Sequence, residues 1–99
     1  MSYPKQLNPL PGGSTSLKNI TGPTLCKAVL GRVWTVSVIV AGSAPGSVYD
    51  SNSLSGLSTA NQIGTVPNTV GPASMGGFRV NTGIVLVPGT GQTLAIAFT

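Results

Sequence analysis

The sequence predicts an all-β fold: a compact antiparallel β-sandwich or barrel of about six to eight strands behind an extended N-terminal arm. Two observations lead there. From Thr24 onward, short runs rich in Val, Ile and Thr alternate with clusters of Gly, Pro, Asn and Ser, the punctuation of closely spaced strands. No stretch of about twelve residues carries the 3.6-residue apolar period of an amphipathic helix. The 99 residues fit one domain. Surface scaling gives burial of roughly 9,000 Å² out of about 14,000 Å² on folding, a real but thin core.

Residues 1–23 hold Pro4, Pro9, Pro11 and Pro23 together with Gly12, Gly13 and Gly22, a density that predicts an extended arm and no strand or helix. Tyr3, Leu7, Leu10, Leu17 and Ile20 are scattered singly along it. Such a segment is either a free chain end or an arm whose apolar side chains dock in a groove or on a sheet edge of a partner. On the docking reading, Tyr3, Lys5, Leu7, Leu10 and Lys18 are the candidate partner-binding residues. The domain proper is then expected over residues 24–99.

Thr24 to Leu30 and Val33 to Ala41 flank Gly31-Arg32, a Gly-X pair suited to a two-residue hairpin turn. In the second run Trp34, Val36, Val38 and Val40 share one face by the two-residue strand period, which predicts that the even positions point to the core. Ile39 and Ala41 interrupt the polar side, so that end is expected to be covered on both faces. Ser47 to Asp50 and Gln62 to Val66 read as short strands, with Asp50 placed for an Asx turn. Residues 67–77, with two prolines and three glycines, read as irregular, and Phe78 to Val80 as a strand. The last element is expected to be a hairpin, Gly83 to Val87 and Gln92 to Phe98 around Pro88–Gly91. Leu94, Ile96 and Phe98 form one face of it, and Ile84 to Val87 are apolar on both, as in a central strand.

The ionisable inventory limits the chemistry. Charged residues are 6% of the chain, there is one side-chain acid, Asp50, one thiol, Cys26, and no histidine. No carboxylate pair, nucleophile–base set or metal-ligand cluster can be assembled from these, so an enzyme is not expected and no cofactor is implied. Gly89-Thr90-Gly91-Gln92-Thr93 has the look of a phosphate loop, but Leu86 and Gln92 stand where the Walker pattern needs Gly and Lys, and a strand follows it. Asn19-Ile20-Thr21 matches a glycosylation sequon by chance composition. Cys26 reads as a small buried hydrophobe, unable to form an intrachain disulfide, and Trp34 as a core or subunit-interface anchor.

The start of the chain lacks the apolar h-region of a signal peptide. The uncharged runs around Val33–Tyr49 and Val80–Thr99 are broken by Gly and Pro, so no membrane partner is expected. The net charge of +4 comes from Lys5, Lys18, Lys27, Arg32 and Arg79 against Asp50, spread without the dense basic and aromatic pattern of a nucleic-acid platform. Complementarity to an acidic protein surface fits it, as does simple solubility. So few charges with a positive mean hydropathy leave a lone monomer poorly protected against association. A homo-oligomer is expected, a trimer before a dimer.

The runs Leu25-Cys26-Lys27-Ala28-Val29-Leu30-Gly31-Arg32-Val33, Ala41-Gly42-Ser43-Ala44-Pro45-Gly46-Ser47-Val48-Tyr49-Asp50 and Asn81-Thr82-Gly83-Ile84-Val85-Leu86-Val87-Pro88-Gly89-Thr90-Gly91-Gln92 resemble, in their succession, small virion proteins of tailed bacteriophages. The resemblance extends from Leu25 to the last residue and rests on turn and strand spacing. It implies a decoration, or cement, protein: a β module made in the host bacterial cytoplasm that binds the major capsid protein on the outer shell and stabilises the head. It brings no catalytic or cofactor residues with it. A tail, neck or head-fibre component is the alternative within structural proteins, and a carbohydrate-binding β-sandwich a more distant one.

Overall fold

A computed structural model of the chain describes residues 14–99. They form eight strands and no helix: β1 (Thr15–Ile20), β2 (Thr24–Lys27), β3 (Gly31–Val40), β4 (Gly46–Asp50), β5 (Gln62–Val66), β6 (Gly71–Val80), β7 (Ile84–Val87) and β8 (Thr93–Phe98). One antiparallel sheet has the order β1-β8-β3-β6 and the other β2-β7-β4-β5. The expected all-β sandwich is what the chain adopts.

A single apolar layer joins the sheets. Ile20, Val33, Val36, Val38, Val80, Leu94, Ile96 and Phe98 from the first sheet meet Val48, Val66, Ile84 and Leu86 from the second. The choice of β-branched residues suits a pleated, half-buried surface, where they lose little rotamer freedom. β7 is a central strand, and Ile84, Val85 and Leu86 are all fully buried. On its outer side Val85 lies between Leu25 of β2 and Tyr49 of β4 in register. β8 alternates cleanly, with Leu94, Ile96 and Phe98 buried. Both follow the expected faces.

The strand partners differ from expectation because the chain almost always crosses between sheets. β2 and β3 belong to different sheets, as do β7 and β8, so neither expected hairpin is a paired ladder. Gly31 and Arg32 are not a turn. They open β3 and pair with Val80 and Arg79 of β6. Gly31 is required there because the Thr99 backbone and the Lys27 side chain occupy the space of a Cβ. Only the β4–β5 connection stays within one sheet.

Three further expectations are corrected. The arm does not run to residue 23, since Thr15–Ile20 is a strand on β8, with a bulge between Leu17 and Ile20 where Asn19 adopts φ 55°. Asn tolerates that left-handed conformation better than most residues. Residues 71–77 are not irregular but the first part of β6, an edge strand, where Pro72 costs no interior ladder bond. In β3 a bulge between Val33 and Thr35 changes the phase, so that Val33, Val36 and Val38 are buried while Trp34, Ile39 and Val40 are exposed. Trp34 and Val40 therefore do not face the core, and the end at Ile39 and Ala41 is not covered on both faces.

Candidate functional site

At one end of the sandwich the polar side chains hold the loops to one another. The Asn68 amide mimics a peptide group, accepting from the Gly42 N–H at 2.7 Å and donating to the Gly42 carbonyl at 2.6 Å. Gln92 is 1% exposed, yet its Oε1 accepts from the Gly89 N–H at 2.8 Å and its Nε2 donates to the Pro67 carbonyl at 3.0 Å. The Gly89–Gln92 segment thus closes on itself and on the β5–β6 loop, with Gln92 N–H bonded back to Gly89. The Gly89 and Gln92 N–H groups are thereby committed within the loop.

The opposite end is organised by Asp50. Its Oδ1 accepts from the N–H groups of Thr82 at 2.8 Å and Gly83 at 3.3 Å, and its Oδ2 from Asn81 at 3.0 Å. The residue therefore clamps the distant β6–β7 turn instead of forming a local Asx turn. Burial opposes ionisation, but the three N–H donors outweigh it and hold the carboxyl below its ordinary value. Beside it the 51–61 loop is shaped by serine side chains, with Ser53 N–H on Ser51 Oγ, Ser55 N–H on Ser53 Oγ, and Ser58 N–H on Asn61 Oδ1.

Cys26 packs against the core, with its Sγ 3.8 Å from the Thr24 carbonyl. Burial pushes the thiol up to about 11, against a smaller lowering by a bond with the Leu86 backbone, so the group is inert as a nucleophile at neutral pH. Among the described residues no three His, Cys, Asp or Glu side chains come together as a metal site.

One exposed surface open to a partner is the outer face of the β1-β8-β3-β6 sheet. Lys18 is exposed on β1 and, with Ser16, Thr35, Ser37, Ala95 and Ala97, lines a shallow depression of about 160 Å³. Tyr3, Lys5, Leu7 and Leu10 lie outside the described residues. At the other edge Arg32 and Arg79 stand directly opposite each other on β3 and β6. Arg32 Nη1 donates to the Gly77 carbonyl at 3.1 Å, and Arg79 Nε to Asn81 Oδ1 at 3.4 Å. The Trp34 ring lies on Gly77, 2.6 Å from where a Cβ would stand, and Trp34 Nε1 donates to Thr99 Oγ1 at 3.3 Å. Phe78, opposite the buried Val33 and so on the other face from the arginines, is 47% exposed at the open edge of β6.

This corner of two arginines and Trp34 was hidden from sequence reasoning by the assignment of Gly31-Arg32 to a turn. The signal available was the two-residue spacing of Arg32 and Trp34 within an uninterrupted strand. No protein-family model, curated protein or solved structure matches the chain.

Proposed function

We propose that the chain is a non-catalytic structural virion protein that binds the outer surface of a bacteriophage head and stabilises it. The observation that carries this reading is how the side chains are divided. The polar groups capable of chemistry are used by the fold itself: Asp50 in the 81–83 clamp, Gln92 and Asn68 in the loop staples, Cys26 against the core. Large apolar side chains are left exposed instead, among them Trp34, Phe78, Leu25, Ile39, Val40 and Val70. With charged residues only 6% of the chain, such a surface is poorly protected against association with other proteins.

The partners on this reading are the major capsid protein and further copies of the chain, a trimer before a dimer. Stabilisation follows from mass action, because a protein that binds only the assembled shell lowers the free energy of that shell. The test is to add purified protein to heads that lack it and follow binding and thermal disruption together. Binding with a raised disruption temperature supports the reading. Binding without any effect on head stability moves the assignment to a tail, neck or head-fibre component.

A further inference from the structure

Arg32 and Arg79 are a cost to the isolated fold. Paired residues of an antiparallel ladder point to the same face with Cβ atoms about 5 Å apart, and like charges so placed repel. Both are exposed, and each guanidinium has one recorded bond, to Gly77 or Asn81, which leaves most of its five donors free. Among the described residues neither guanidinium is hydrogen-bonded to a carboxylate. Asp50 is the only side-chain acid in the whole chain, and both its oxygens are held by the 81–83 turn.

We propose that the Arg32–Arg79 pair, beside Trp34, is the docking site for an Asp- or Glu-bearing segment of a partner protein. Each guanidinium keeps donors free for a carboxylate of an acidic segment laid across the β3–β6 edge, and the neighbouring Trp34 ring accepts an apolar side chain next to it. Arg and Trp beside each other is also the composition of interface anchors. A second copy of the chain is disfavoured as the occupant, since its one side-chain acid, Asp50, is held by its own 81–83 turn. A nucleic-acid strand fits poorly because the cations among the described residues form no track. Lys18 is on the far edge of the sheet, three strand spacings or about 14 Å from Arg79 and two from Arg32, and Lys27 belongs to the other sheet. The site rests on the capsid reading only for the origin of the partner, not for its chemistry.

The probe is a short synthetic peptide of alternating glutamate and leucine, titrated into the full chain. Binding is read from the side-chain NMR signals of the arginine Nε–H groups and of the one tryptophan. The expected result is that the signals of Arg32, Arg79 and Trp34 move together. Arg79→Thr and Arg32→Ala each weaken binding about tenfold and Arg79→Lys by less, because the fork and not only the charge is used. Lys18→Ala, which removes the same charge elsewhere, leaves binding unchanged. Arg79→Thr relieves the repulsion and keeps β propensity, so its melting temperature is expected to equal or exceed that of the parent, which separates lost binding from lost folding. Loss of binding in Lys18→Ala equal to that in Arg79→Thr overturns the proposal, as does tighter binding of a thymidine oligonucleotide or no response to the peptide. Heads that bind Arg79→Thr as well as the parent overturn the site while leaving the capsid reading intact.

Discussion

Asp50 gives the molecule an acid-sensitive joint. Its carboxyl is held below the ordinary value by three N–H donors, so the ionised form is the one favoured by folding. The contribution is therefore complete above the unfolded-state value near pH 4 and is lost as pH falls through the folded-state value. Stability is expected to fall on acidification below about pH 4, and Asp50→Asn should remove that slope while costing about 1 kcal/mol at pH 7, a modest figure because solvent screens the site. Urea unfolding of both proteins at pH 7 and pH 3 measures it. Gln92 tests the opposite end. Gln92→Ala leaves the Gly89 N–H and the Pro67 carbonyl without their partner in a buried place, at a cost of about 2–4 kcal/mol in the same assay. At Cys26 the raised thiol predicts alkylation at pH 8 roughly two orders of magnitude slower in the folded than in the unfolded protein, which mass spectrometry after timed quenching resolves.

The β3–β6 pair shows where sequence reading succeeds and fails at the scale of elements. β5 was legible to the residue and β4 to within one, and the burial of both faces of β7 was visible in Ile84 to Leu86. Their apolar runs carry the signal, and turn residues bound them. Strand partners were not legible, because Gly31-Arg32 and Pro88–Gly91 look like hairpin turns whether the chain folds back in one sheet or crosses to the other. β6 was obscured by Pro72, Gly76 and Gly77, residues that an edge strand tolerates and a central one does not. Likewise the bulge that turns Trp34 outward leaves no mark in the alternation of Trp34, Val36 and Val38. Gly77 makes the point testable. It has φ 77° and carries the Trp34 ring on its α-carbon, so Gly77→Ala imposes backbone strain and displaces the ring. The expected outcome is a loss of about 1–3 kcal/mol and a red-shifted tryptophan emission. Unchanged emission would show that the ring does not rest there.

Across the whole molecule the two ends are locked by polar clamps and the interior by one aliphatic layer, while the broad faces carry the apolar and cationic side chains. On the proposed reading such a module is placed on a capsid surface, and its candidate site is only partly a matter of sequence. Its residue types could be read in advance, but the meeting of Arg32 with Arg79 depends on the β3–β6 register. A charge of +4 with a single acid predicts attraction to an acidic shell that weakens as salt shortens the screening length, whereas apolar contacts persist. The most direct measurement of the central claim is thermal disruption of undecorated phage heads with and without the purified chain, at low and at high salt. Saturable binding that raises the disruption temperature and is weaker at high salt is the expected result. Heads that neither bind the chain nor gain stability at low salt would contradict it.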